Sequence, residues 1–165
     1  MPLVRISLVK GKPEVYRRKV GDAIHRALVE TIGVPPLDRF QLVTEHEPGD
    51  LVYDSNYLGI ARSSDLVIIQ ITISAGRTLE QKRALYRHIA ANLGAAVGLR
   101  PEDAWINLVE VAKENWSFGN GVASYAPAEP QTATWDRSST RRQPSASHPN
   151  CRSPAATHTF FLERS

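Results

Sequence analysis

Cysteine occurs once in the 165 residues, as Cys151, so no disulfide can form within the chain. Long apolar runs are missing: none reaches the roughly 18 residues of a membrane-crossing helix. The amino-terminal stretch lacks the charged start and continuous apolar block of a secretory signal. A soluble cytoplasmic protein that makes no use of a membrane is the expectation. His25, His46, His88, His148 and His158 share no metal-ligand spacing, and Cys151 stands apart from them, so no metal is expected. No Gly-rich loop joins a strand to a helix, which removes the usual phosphate cradle, and no cofactor is expected.

An excess of one charge is also missing where it would matter. The pI of about 9.2 invites a nucleic-acid partner. Residues 1–126, however, hold 15 Lys and Arg against 14 Asp and Glu, interleaved, whereas residues 127–165 hold 5 against 3. Most of the +3 net charge therefore lies in the last stretch, and no nucleic acid is expected as a partner. That stretch has five prolines, much Ser and Thr, and no helical or strand period. It cannot bury enough apolar surface to offset its chain entropy. The organisation expected is a folded domain over 2–126 and a disordered tail over 127–165.

What is present is an internal repeat with an offset of 65 residues. "GVPPLDRFQLVTEH" from Gly33 aligns with "GLRPEDAWINLVEV" from Gly98, matching Pro36 to Pro101, Asp38 to Asp103 and Glu45 to Glu110. The same offset places Val4, Ile6 and Leu8 on Ile69, Ile71 and Ile73, Gly11 on Gly76, and Lys12 on Arg77. Each copy reads strand, helix, strand. "LVRISLV" alternates apolar and polar. The first helix starts with Pro13 at a first-turn position, followed by a stripe of Tyr16, Val20, Ile24, Ala27, Leu28 and Ile32, and Gly33 ends it. Thr78 and Gln81 have capping-box spacing ahead of the stripe Leu85, Ile89, Leu93 and Val97, and Gly98 closes that helix. "RFQLVTEH" and "AWINLVEV" are the outer strands. "NG" at 120–121, between Trp116, Phe118 and Tyr125, signals a C-terminal hairpin.

Two such units predict an α+β fold: a four-stranded mixed sheet with right-handed crossovers and both helices on one face. The second face, with Arg5, Ser7, Gln70 and Thr72, has no covering layer, which predicts self-assembly.

Several residues carry candidate chemistry. The second copy of the first strand begins Val67-Ile68, so the strand pattern does not call for Pro2. If Met1 is removed, Pro2 carries a free secondary amine. A terminal amine titrates near pH 8 in water, burial favours its neutral form, and a neutral amine can act as a general base. Arg77 immediately precedes the second helix, where helix geometry and a guanidinium together suit a carboxylate. If the first and third strands run antiparallel, Pro2 and Arg77 meet at one end of the sheet. Asp38 and Asp103 occupy equivalent places, as turn formers or as one catalytic acid, and the repeat alone leaves open which. Trp116 and Phe118 are packing residues or the wall of a dry pocket.

Taken together, "VPPLDRFQLVTEH", "YLGIARSSD", "ITISAGRTLEQKRALY" and "NWSFGNGVASYA" resemble the tautomerase superfamily, in its malonate semialdehyde decarboxylase-like branch. The resemblance implies a homotrimer, Pro2 as the catalytic amino-terminal proline, and Asp38 as the aspartate beside it. It also implies Arg77 as the arginine that binds a small carboxylate substrate, and Trp116 and Phe118 as an apolar wall. The best-known decarboxylase of that branch carries two arginines spaced two apart after this strand, whereas here Ala75 stands two residues before Arg77. A cofactor-free tautomerase of small 2-oxo or enol carboxylic acids, with Pro2 as general base, is the function expected. The alternatives are a malonate semialdehyde decarboxylase or hydratase using protonated Pro2, and a trimeric binding protein without turnover.

Overall fold

Alternation builds the centre of the sheet. In β1 (Pro2–Val9), Val4, Ile6 and Leu8 are buried on one face while Arg5 is exposed on the other. In β3 (Val67–Ser74), Val67, Ile69, Ile71 and Ile73 are buried in the same manner. A computed structural model of the chain describes residues 1–127. In it β1 and β3 pair antiparallel, with Pro2 opposite Ile73 and Leu8 opposite Val67. β2 (Phe40–His46) and β4 (Ala104–Val111) lie parallel on their outer edges, giving the order β2-β1-β3-β4. This is the expected four-stranded mixed sheet. The expected disordered tail lies, Pro127 apart, outside the described residues.

Helices α1 (Glu14–Ile32) and α2 (Leu79–Val97) lie together on one face, where Val20, Ile24, Leu28, Leu85, Ile89 and Leu93 join the inward strand residues in one core. The 65-residue offset holds in three dimensions. It separates β1 from β3 and α1 from α2 end to end. Gly11 and Gly76 share a φ of 110°, a region that only glycine enters without strain. The helix starts differ. α1 opens on Pro13 without a side-chain cap, whereas Thr78 and Gln81 bond each other's backbone reciprocally at 3.2 and 2.9 Å. Thr78→Ala is expected to cost about 1 kcal/mol, read as a lower urea midpoint at unchanged slope.

Neither helix covers the second sheet face. Phe40 (53%), Leu42 (48%) and Trp105 (44%) stay exposed there beside Arg5, with Ser7 half-buried. The C-terminal hairpin needs correction: it is present as a turn and not as a strand ladder. Asn120 and Gly121 take the left-handed conformations the turn requires. No strand pairing flanks them; the Ser124 N–H donates to Trp116 O at 2.9 Å and the Phe118 N–H to Ser124 Oγ at 3.0 Å. A two-stranded ribbon with no further strand to lie against is marginal. Aromatic contacts fold the segment instead, Trp116 stacked on Phe118 and Phe118 edge-on to Tyr125, each pair 5.5 Å apart.

Candidate active site

Antiparallel pairing carries Pro2 to the carboxyl end of β3, from which Ala75 and Gly76 lead to Arg77 ahead of α2. Pro2 is buried. Beside it opens a cavity of about 240 Å³ lined by Met1, Pro2, Phe40, Trp116, Ser117 and Phe118. Its walls are mainly apolar, so a charged or polar group of a guest would be poorly solvated there and sensitive to each fixed charge nearby.

Asp38 supplies such a charge. Its N–H donates to Pro35 O at 2.9 Å, which places the carboxylate at the turn into β2. The terminal ammonium of Met1 stands 3.4 Å from Asp38 Oδ2, with both side chains largely buried. Asp38 Oδ1 is buried without a hydrogen-bond partner.

The repeat-related Asp103 has a different environment. It is 1% exposed. It accepts from the Ser63 N–H at 2.6 Å, the Ser63 hydroxyl at 2.8 Å, and Arg100 Nε and Nη2 at 2.8 and 3.2 Å. Burial pushes its pKa up, but the Arg100 bonds, the two Ser63 bonds and the Arg100 charge outweigh that and hold it below the ordinary value. Asp103 thus ties the link between the repeats to the start of β4, with every acceptor site engaged. Asp38 keeps an acceptor free beside the cavity. The equivalence that the repeat leaves open is broken by these hydrogen bonds.

Pro2, Asp38 (through Met1), Trp116 and Phe118 are brought together. Arg77 lies at the same end of the sheet, half-buried, but does not line this cavity. Its Nε is buried without a hydrogen-bond partner. The Trp116 indole N–H is likewise buried and unbonded. Phe40 and Ser117 are cavity residues that sequence reasoning missed. Phe40 is recognisable only through strand register, where it falls opposite Leu3. A second cavity, of about 280 Å³, lies between the repeat link and the far ends of β3 and β4, against Leu66, Ile68 and Trp105. Several of its polar groups are engaged locally: Arg62 by Tyr57 O and Ile60 O, the Tyr53 hydroxyl by Ser63 O, and Asp54 by the Asn56 N–H.

The arrangement sets the buried start of β1 beside an apolar cavity, with a carboxylate close to the terminal amine. Residues 38–119 match a tautomerase enzyme family, and residues 2–60 match a second family of the same description. The chain belongs to the tautomerase family. It is 42% identical over 123 residues to the probable tautomerase YusQ of Bacillus subtilis (strain 168), covering 74% of this chain and 97% of that one. Among solved structures it is similar to the FG41 malonate semialdehyde decarboxylase inhibited by 3-bromopropiolate, at 41% identity and a TM-score of 0.70 over 74% of this chain and 93% of that one. It is also similar to a malonate semialdehyde decarboxylase described with decarboxylase and hydratase activities, at 36% identity and a TM-score of 0.69 over 73% and 93% of the two chains. A fused 4-OT symmetric trimer shares the fold, at 21% identity and a TM-score of 0.62, over 73% of this chain and 94% of that one.

Proposed function

We propose that this chain is a cofactor-free tautomerase of small 2-oxo and enol carboxylic acids, with Pro2 as its general base once Met1 has been removed. The observation that carries this reading is the terminal amine 3.4 Å from Asp38, at the mouth of an apolar cavity lined by Pro2. Removal of Met1 moves the free amine one residue inward, onto the Pro2 nitrogen. The neutral nitrogen takes the enol O–H proton. The oxygen lone pair then forms the C=O bond, and the carbon–carbon π pair takes a proton at carbon from the prolinium. Asp38 orients the amine or a water beside it. Arg77 binds the substrate carboxylate and stabilises enolate charge. Trp116 and Phe118 keep water from the reacting carbons. The sheet face that neither helix covers, with Phe40, Leu42 and Trp105 exposed, supports assembly as a homotrimer in which neighbouring copies cover it.

The second reading is decarboxylation or hydration of malonate semialdehyde by protonated Pro2. The two decarboxylase relatives, at 36% and 41% identity, favour it. Ala75 in place of a second arginine leaves fewer donors for a second oxyanion. Parallel assays with phenylenolpyruvate, 2-hydroxymuconate and malonate semialdehyde separate the readings. Turnover of the first two alone supports tautomerisation, and turnover of the third alone supports the decarboxylase. Binding of a carboxylate with no turnover at all leaves a binding protein. Arg77→Ala is expected to raise KM about 10- to 100-fold, the loss of charge-assisted bonds worth roughly 1.5–3 kcal/mol. An unchanged KM would remove Arg77 from the site.

A further inference from the structure

The loop that carries Arg77 occurs twice in the chain, and its cations behave differently in the two copies. In the first, Gly11 precedes Lys12, whose ammonium lies 2.7 Å from Asp65. Beside it Arg17 pairs with Glu45 at 2.8 Å. In the second, Gly76 precedes Arg77, and Lys82 and Glu110, the counterparts of Arg17 and Glu45, pair at 2.6 Å. Arg77 is in no ion pair among the described residues, and its Nε has no hydrogen-bond partner.

An anion nevertheless adjoins the Arg77 loop. Glu110 is opposite Ile73 in the β3–β4 register, and the Ala75 N–H donates to the next residue, Val111, at 2.8 Å. The Lys82 hydrogen bond holds Glu110 below the ordinary carboxylate range, with smaller contributions in the same direction from the Arg77 and Gly76 backbone N–H groups. Glu110 is therefore ionised at neutral pH and sits on a neighbouring strand, tethered to the same fold as Arg77. A tethered carboxylate competes with a dissolved one at an effective concentration of about millimolar or more.

We infer that Lys82 is a positioning residue: by occupying Glu110 it prevents that carboxylate from capturing the Arg77 guanidinium, which stays available to the carboxylate of the substrate. This rests on the reading of Arg77 as the carboxylate-binding residue. The repeat gives the comparison. In both copies the neighbouring glutamate is held by its own cation and not by the one after the glycine; Lys12 is engaged by Asp65 instead, and Arg77 by no carboxylate among the described residues.

The test compares the parent with Lys82→Gln, the double variant Lys82→Gln/Glu110→Gln, and Arg77→Ala. Binding of phenylacetate is followed by tryptophan fluorescence, and KM and kcat with phenylenolpyruvate. Capture of Arg77 in about nine molecules of ten would weaken phenylacetate binding and raise KM about 10-fold in Lys82→Gln, with kcat within about twofold. The double variant is expected to return both values to within about twofold of the parent, a rescue that a merely structural role of Lys82 would not produce. Parent-like binding in Lys82→Gln, or a double variant as weak as the single one, overturns the inference. If Arg77→Ala alone is weakened, only the inference fails. If Arg77→Ala binds like the parent, the assignment of Arg77 fails with it.

Discussion

Replacing Pro2 with alanine is expected to lower kcat/KM for enol ketonisation by about 10²- to 10⁴-fold, the range a positioned general base supplies. Alanine at this position still presents a terminal amine, but a primary one on a freely rotating residue. The pyrrolidine ring fixes φ and so the direction of the nitrogen. Pro2 is buried, and its place opposite Ile73 is set by the β1–β3 ladder, so the fold itself tolerates alanine at the end of the strand. The expected signature is thus lost turnover with a urea midpoint close to that of the parent. Activity retained in full would reject proton transfer through this nitrogen.

Exchanging the two repeat-related aspartates for asparagine is expected to separate stability from activity. Asp103→Asn turns an NH2 group toward Ser63 and Arg100, which are donors, inside a site 1% exposed. It loses charge-assisted bonds and leaves buried donors unpaired, an expected cost of about 3 kcal/mol. The pH dependence follows from the lowered pKa of Asp103. The stabilisation is fully present above the unfolded carboxyl's pKa of about 3.9 and is lost as pH falls through the folded value. The parent therefore loses this contribution in acid, and Asp103→Asn, already without it, shows a flatter acid limb in urea titrations. Asp38→Asn leaves few bonds to lose, because Asp38 Oδ1 has no partner. Its expected effect is less than about 1 kcal/mol on stability and about 10²-fold on kcat. The reverse pattern, with Asp103 governing turnover, would contradict the assignment.

The fold was readable because local rules agreed. The alternation in "LVRISLV" set one buried strand face, Gly33 and Gly98 ended the helices, Thr78 and Gln81 began one, and the offset of 65 tied the copies together. The hairpin at Asn120 failed for a physical reason. Turn chemistry specifies a turn, but a ladder also needs a surface to rest on, and Trp116, Phe118 and Tyr125 pack on one another instead. At the candidate site, Pro2 could be singled out from the repeat, and Asp38 from the family resemblance alone. What distinguishes Asp38 from Asp103 could not, because it lies in contacts made 40 residues away, between Ser63 and Asp103. Phe40 escaped because strand register, rather than residue type, brings it to the cavity. Lys82 and Glu110 look like surface charges in a one-dimensional reading, and only their pairing beside the Arg77 loop gives them a role.

Peptide mapping by mass spectrometry after treatment with 3-bromopropiolate, the compound that inhibits the FG41 decarboxylase relative, reads both halves of the central claim at once. The expected N-terminal peptide begins at Pro2 and carries the adduct on its nitrogen, at one equivalent per chain. An N-terminal peptide that retains Met1, or one that begins at Pro2 and stays unmodified, would contradict an enzyme built on this amine.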